Sequence, residues 1–222
     1  MNEFTSAFLY VFAALLPIVD PLSGAMFFVS LTTDLTARER AWIAARVAAY
    51  SFILIEVSVY VGVFILNFFG ISIDVLRVAG GLVLAASGWS AMNASTGEKK
   101  EKANESAGGR SEDDSFKRRA FFPLTMPLLV GPGAMAVCTA LGTAMPSTLG
   151  NILGLNLAVV ATCASVWICF RFAGQITSRL GPTGADAIVK IFSFLLLCIG
   201  IAVFWTGFSA LWTGMEKGII GK

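Results

Sequence analysis

Two clusters of proline and glycine residues are the parts of this sequence that could form a binding site. They read Leu16-Pro-Ile-Val-Asp-Pro-Leu-Ser-Gly24 and Pro123-Leu-Thr-Met-Pro-Leu-Leu-Val-Gly-Pro-Gly133, each in the middle of an apolar stretch. Proline removes a backbone donor and clashes with the carbonyl four residues earlier, so each cluster predicts a broken helix. Free N–H groups after Pro21 and Pro132 suit a carboxylate, and the freed carbonyls suit an ammonium group or a cation. A pair of simple proline kinks is the alternative.

These breaks predict a site for a small molecule at the middle of the bilayer. Glycine lets a small ligand approach the backbone because it has no Cβ atom, and the hydroxyls of Ser23 and Thr125 add polar contacts. A small zwitterion can use the backbone donors and acceptors together. The predicted substrate-binding residues are Pro17, Asp20, Pro21, Ser23, Gly24, Thr125, Pro127, Gly131, Pro132 and Gly133.

Two carboxyl groups lie inside predicted spans, where charge is costly and usually functional. Asp20 can bind a substrate ammonium group, carry a coupling proton or cap the half-helix that starts at Pro21. Glu56 is the second candidate proton carrier, and a neutral Glu that is hydrogen-bonded to a neighbouring helix is the equal alternative. The chain contains no His, so these two carboxyls are the predicted coupling groups.

The elements that must position these residues are membrane-spanning helices. Hydrophobic residues make up 56% of the 222 residues and charged residues only 14%, whereas a soluble domain carries about 25% charged residues. A helix of about 20 apolar residues crosses a bilayer. Six such stretches are predicted, at 4–31, 42–69, 74–92, 120–145, 152–172 and 187–212.

The six spans divide into two related halves, 1–92 and 120–222, which a charged linker at 93–119 joins. Asp74 precedes Gly88 by 14 residues, and Asp186 precedes Gly200 by 14 residues. Because each half has an odd number of spans, the halves must insert in opposite orientations. This predicts an all-α integral membrane fold built as an inverted repeat, with the first and fourth helices broken, a plan common in secondary transporters.

Other charges are interpreted from their places near span ends. Asp74 with Arg77, and Asp186 with Lys190, have spacings typical of interfacial ion pairs. Most loop Lys and Arg residues lie on the side that holds the linker, so this side is predicted to face the cytoplasm and both termini to lie outside. Residues 1–6 hold one acid and no base, so the first stretch is predicted to be retained rather than cleaved as a signal.

Composition also excludes several classes of function. A net charge of +2 does not suit a nucleic-acid partner. Without His and without a CxxC pair, no metal site or cofactor is predicted, and the cysteines are expected to be reduced, buried thiols. They are Cys138, Cys163, Cys169 and Cys198. The chain has no Walker motif, so ATP hydrolysis is not predicted. An intramembrane hydrolase would need a nucleophile with a base, such as Ser with His or two facing aspartates. Because His is absent and Asp20 has no obvious Asp partner within the membrane, an enzyme is not predicted. A membrane channel or scaffold, or an intramembrane enzyme, stays open as an alternative, and the sequence makes no prediction of oligomeric state.

Three motifs together resemble the MarC family of six-span bacterial membrane proteins. They are Pro17-Ile-Val-Asp-Pro-Leu-Ser-Gly24, Gly70-Ile-Ser-Ile-Asp74 and Pro127-Leu-Leu-Val-Gly-Pro-Gly-Ala134. The resemblance implies a multi-pass protein of the bacterial inner membrane, in which the termini predicted to lie outside would be periplasmic. It also implies secondary transport of small neutral amino acids or similar metabolites, for which Asp20 and Glu56 make H⁺ a candidate coupling ion. Many members have Asn where this chain has Asp20, which changes the charge at the site.

Overall fold

The computed structural model describes residues 2–32, 35–93 and 120–220, and within these ranges every regular element is a helix. Nine helices follow one another in these ranges: α1 Glu3–Val19, α2 Pro21–Leu31, α3 Ala37–Tyr60, α4 Gly62–Phe68, α5 Ile73–Asn93, α6 Ala120–Leu129, α7 Pro132–Ala144, α8 Leu149–Arg171 and α9 Ala173–Ile220. Apart from its first residue, the predicted linker at 93–119 lies outside the described residues.

Five segments are long and apolar enough to cross a membrane, and they match the first, second, third, fifth and sixth predicted spans. They are Glu3–Val29, Ala37–Tyr60, Ile73–Asn93, Leu149–Arg171 and Thr183–Met215. The predicted fourth span is divided between α6 and α7, and neither piece reaches the required length alone. The all-helical membrane fold is thereby confirmed, while a sixth crossing depends on α6 and α7 acting together.

Local sequence explains where several helices begin. Thr36 and Glu39 form a reciprocal capping box at the start of α3, which satisfies two otherwise unpaired backbone donors. Gly181 interrupts α9 with φ 69° and ψ 173°, a conformation that favours glycine. Gly70, shortly before α5, has the same φ of 69°. The third and sixth predicted spans therefore each follow a glycine with positive φ.

The core of the bundle lies among α1, α2, α3, α6, α7 and α8, and α5 and α9 lie mostly on its outside. Side chains with almost no exposed surface fill this core, including Leu15, Phe28, Ile55 and Phe170. In the Thr183–Met215 segment only 11% of the most apolar window is buried. Its exposed side chains include the large apolar ones of Ile191, Phe194, Trp205 and Trp212, which suit contact with lipid.

Helices α5 and α9 pack against each other in antiparallel fashion through glycines. A Cβ atom on Gly88 would lie 2.7 Å from the carbonyl oxygen of Ser193, and one on Gly207 would lie 2.6 Å from that of Asp74. Small residues at such positions let helix backbones approach closely in a membrane, where van der Waals packing drives association. The close packing predicted for Gly88 is therefore present.

Candidate functional site

A partly open cavity of about 300 Å³ lies between α1, α5, α7 and α9. Its lining includes Tyr10, Pro17, Ile18, Arg77, Val137 and Thr206. Its position in the bundle follows from the helix directions. We call the end of the bundle formed by Glu3 and Thr148 the terminal face, where the Thr148 hydroxyl donates to Glu3 Oε2 at 3.0 Å.

The cavity runs from the terminal face toward the middle of the bundle. Helix α1 starts at this face, and Tyr10 and Ile18 both line the cavity. Eight residues of α-helix span about 12 Å, so the cavity is deep. Tyr10, Arg77 and Thr206 place polar groups toward its mouth, and Ile18 and Val137 make its floor apolar.

Helix α1 ends at Asp20, just beyond this floor. The φ of Asp20 is 45°, in the left-handed region that Asp and Asn tolerate better than most residues. Its N–H donates to Leu16 O at 3.0 Å, and its Oδ1 accepts from Ser23 N at 3.2 Å. The capping role predicted for Asp20 is confirmed by this geometry. Pro21 is the first residue of α2, where its missing N–H costs nothing.

Pro17 does not break the helix, since α1 continues through it to Val19. The interruption predicted for this cluster is present, but it is concentrated at the Asp20–Pro21 step. Gly24 N donates to Asp20 O at 3.0 Å, so the new helix begins at once. The first predicted span is therefore two helices joined at a single residue.

The second break follows a wide helical segment. Helix α6 is a π-helix, in which Val130 N donates to Thr125 O at 2.9 Å, five residues back. The buried Thr125 hydroxyl donates to Ala120 O at 2.7 Å. In a π-helix each backbone N–H bonds to the carbonyl of the fifth preceding residue, whereas in an α-helix it bonds to that of the fourth. Pro127 lies within this π-helical segment. The side chain of Pro127 is outside the described part of the chain.

Gly131 is extended and caps α7, whose first residue is Pro132. The two proline clusters therefore end in the same way, with a cap residue followed by proline at the first position of a helix. Proline is favoured there because its fixed φ suits a helix start. This equivalence was predicted from the sequence, and it is the strongest local similarity between the halves.

The fold brings the two breaks together. A Cβ atom on Gly24, in the first turn of α2, would lie 3.7 Å from Leu129 Cγ at the end of α6. It would also lie 3.2 Å from Cε1 of Phe170. On Gly133, a Cβ atom would lie 2.6 Å from Leu84 Cγ and 3.0 Å from Gly80 O. In this conformation both glycines serve helix contacts, and their contact with a ligand stays a prediction.

Three buried side-chain oxygens have no hydrogen-bond partner within the described ranges: Ser23 Oγ, Ser51 Oγ and Glu56 Oε1. Buried polar atoms are nearly always paired, so each such atom calls for a ligand, a water or a functional reason. Ser23 belongs to the predicted site and lies directly at the first break. Glu56 lies on α3, which does not contribute to the cavity lining.

Of the residues predicted to bind substrate, Pro17 lines the cavity. Asp20 lies two residues beyond Ile18, which forms part of the cavity floor. Sequence reasoning missed Tyr10, Val137 and Thr206, since nothing in their local sequence marks them. It assigned Arg77 only to an ion pair with Asp74, which the structure contains with Nη1 and Oδ1 2.9 Å apart.

The four cysteines form no disulfide, as predicted. Cys138 and Cys163 are buried, Cys169 is partly buried, and Cys198 is exposed on α9. The exposure of Cys198 differs from the prediction of burial, because α9 lies at the outside of the bundle. Across the described residues, no group of three or more His, Cys, Asp or Glu side chains could hold a metal ion.

Comparisons with known proteins agree with this architecture. The model of the MarC family of integral membrane proteins matches residues 5–212. A UPF0056 membrane protein of Buchnera aphidicola subsp. Schizaphis graminum is 29% identical over 210 residues, which cover 95% of each chain. The UPF0056 inner membrane proteins MarC of Salmonella typhimurium and Citrobacter koseri are 31% and 30% identical, each over 84% of this chain and 87% of their own. No solved structure matches the chain. With a family match over nearly its whole length and apolar helices throughout, this chain belongs to the MarC family of integral membrane proteins.

Proposed function

We propose that this protein is a secondary transporter of small neutral amino acids or similar small metabolites, possessing a substrate site at the middle of the membrane between its two broken helices. One observation carries the proposal. The cavity descends to Ile18, two residues before the Asp20–Pro21 break, and this break lies beside the end of α6. Broken helices that meet at mid-membrane are a recurring way to build a transporter site.

The size and closure of the cavity favour a carrier. A volume of about 300 Å³ lies at the lower end of the range for small-molecule pockets. On the far side of the first break, the buried rings of Phe28 and Phe170 stack with their centroids 4.8 Å apart. The path is therefore open toward the terminal face and filled by packed rings toward the other. A carrier alternates between such states, whereas an open channel connects both faces at once.

The packing of the helices supports an inverted repeat of three spans each. An offset of 112 residues relates Asp74 to Asp186 and Gly88 to Gly200. Under this offset Gly88 corresponds to Gly200, and Ser193 corresponds to Gly81. The contact between Gly88 and Ser193 should therefore have a counterpart between Gly200 and Gly81, and this contact is also present. A two-fold axis in the membrane plane accounts for this exchange. Under this proposal α6 and α7 together make the fourth of six crossings.

The charges support an orientation. Arg38 and Arg40 at the start of α3, with Arg171 and Arg179 near the break in α9, lie at the end opposite the terminal face. Basic residues remain on the cytoplasmic side. In the bacterial inner membrane the termini would then be periplasmic, and the cavity would be open to the periplasm.

The direct test is counterflow in proteoliposomes. Vesicles loaded with unlabelled glycine, L-alanine or L-serine would be diluted into trace amounts of the radiolabelled form. We expect transient, saturable accumulation with at least one of these, and none with L-arginine or L-glutamate. Empty liposomes are the control. Flux that does not saturate with concentration would indicate a channel instead, and flux with none of these compounds would contradict the proposed substrate class.

A further inference from the structure

We propose that Arg77 binds the carboxylate of the substrate at the mouth of the cavity, as an entry contact that the substrate makes before it reaches the site at the middle of the membrane. The inference rests on the proposed transport function and adds a recognition residue to it. From sequence spacing alone, Arg77 is interpreted only as the partner of Asp74 in an interfacial ion pair. The inference gives it a second role, in binding. The substrate class that it selects is small molecules with a free carboxylate.

The position of Arg77 is the first support. It lies one turn inside α5, and its side chain, at 27% exposure, lines the cavity. Its Nη1 donates to Asp74 Oδ1 at 2.9 Å, and among the described residues the guanidinium group makes no other hydrogen bond. A guanidinium group has five N–H donors in a planar fork that matches a carboxylate. Most of these donors are therefore available to a ligand.

The surroundings of Arg77 are the second support. Arg77 is the one charged residue among those that line the cavity in the described part of the chain, and its counter-ion Asp74 lies outside this lining. Apolar walls lower the local dielectric constant and strengthen the attraction of an anion. Thr206, also at the mouth, donates its hydroxyl proton to Ala202 O at 2.8 Å, which leaves its oxygen as an acceptor. An ammonium group beside a bound carboxylate can donate to that oxygen.

Asp74 has a defined part in this arrangement. It pairs with Arg77, so the half-buried guanidinium group has a counter-charge. A substrate carboxylate must then share Arg77 with a like charge. Removal of the charge on Asp74 should therefore strengthen carboxylate binding, whereas removal of Arg77 should weaken it.

The test measures binding to purified protein in lipid nanodiscs by calorimetry. The ligands are L-alanine and L-alaninamide, which differ in the carboxylate group. For Arg77→Gln we expect L-alanine binding to weaken about tenfold to a hundredfold, the cost of one charge-assisted hydrogen-bonded contact, while L-alaninamide binding is unchanged. Arg77→Lys keeps the charge without the fork and should weaken it less. Asp74→Asn should bind L-alanine at least as tightly as the wild type.

Arg38→Gln is the matched control, because Arg38 is exposed at the opposite end of the bundle. Its L-alanine binding should equal that of the wild type. Normal L-alanine binding by folded Arg77→Gln would overturn the inference. An equal loss in Arg77→Gln and Asp74→Asn would also overturn it, because it would mean that the ion pair only holds α5 in place. If Arg77→Gln does not fold, normal binding by Arg77→Lys and weakened binding by Asp74→Asn would overturn it.

Failure of the transport proposal gives a different pattern. If the wild type binds no amino acid but binds L-lactate and not lactamide, and Arg77→Gln loses this binding, Arg77 is still the carboxylate contact while the amino acid proposal fails. If the wild type binds neither L-alanine nor glycine nor L-lactate, both are overturned.

Discussion

Gly81 and Gly200 each occupy the space that a side chain on the other would need. A Cβ atom on Gly81 would lie 2.7 Å from Gly200 O, and one on Gly200 would lie 2.8 Å from Gly81 O. The obstructing atoms belong to the backbone, so they cannot rotate away as a flexible side chain can. These two glycines therefore set the distance between α5 and α9.

We expect Gly81→Ala and Gly200→Ala to destabilise the protein by about 1–3 kcal/mol each, the usual cost of overpacking. Thermal unfolding in detergent measures this effect. Gly214→Ala is the control on the same helix α9, because no atom lies within 4 Å of its Cβ position. Equal melting temperatures for Gly200→Ala and Gly214→Ala would show that the helices are farther apart than described.

A comparison of Gly24→Ala with Gly88→Ala distinguishes an effect on helix packing from an effect on substrate transport. The Cβ of Gly24→Ala would meet ring atoms of Phe170 at 3.2 Å, which can shift, whereas that of Gly88→Ala would meet Leu197 N at 2.5 Å. Gly88→Ala should therefore lose more stability. Gly24→Ala lies at the first break and should lose more transport. Melting temperatures and counterflow rates for both variants check this, and a loss of transport that simply follows stability in both would contradict it.

The proposed topology predicts which sites are accessible in intact cells. After replacement of the native cysteines, Ser147→Cys, exposed beside the terminal face, should react with an impermeant maleimide added outside. Ser106→Cys, in the linker, should react only after the membrane is permeabilised. The reverse pattern would invert the orientation and the assignment of the basic side.

The depth of the cavity predicts a difference between two alanines of the first broken span. Ala14 lines the cavity, whereas Ala25 lies beyond the break and is fully buried. In the cysteine-free background, Ala14→Cys should be labelled by a small methanethiosulfonate reagent at least about tenfold faster than Ala25→Cys, because a thiol reacts as an accessible thiolate. Similar rates would indicate that the opening is not on this side of the break.

The intramembrane carboxyls predict the coupling mechanism. If Asp20 or Glu56 carries the proton, Asp20→Asn or Glu56→Gln should abolish accumulation driven by a pH gradient while exchange survives. Asn at position 20 keeps both the cap and the left-handed conformation, so Asp20→Asn tests charge rather than structure. Glu3→Gln at the terminal face is the control and should accumulate normally. Normal accumulation in both test variants would remove these residues from coupling.

The sequence predicts the broken helices well because their causes are local. Proline lacks an N–H wherever it occurs, and Asp is a good cap wherever a helix starts, so the Asp20–Pro21 and Gly131–Pro132 steps follow from residue types. The exact effect of each proline is not local. Pro17 is accommodated within α1, and tertiary packing decides which proline of a pair ends the helix.

The cavity could not be predicted in the same way. It is lined mostly by small and apolar residues from four helices that are far apart in sequence, and such residues occur throughout every span. Periodicity does not show which of them face a void. The spacing of Asp74 and Arg77 predicted their ion pair correctly, but only the assembled bundle shows that this arginine lines the cavity.

The π-helical form of α6 makes this part of the predicted fourth span shorter than an α-helix of the same residues would be. In a π-helix, hydrogen bonds join residues five apart, so the helix is wider than an α-helix and rises less per residue. An α-helix rises 1.5 Å per residue. If the segment Ala120–Leu129 changed to α-helical bonding, it would lengthen and rotate like a screw, and Leu129 would turn away from Gly24. In the proposed transport cycle, such a lengthening would act beside the side of the path that Phe28 and Phe170 fill, whereas α1 is already α-helical and cannot lengthen in this way.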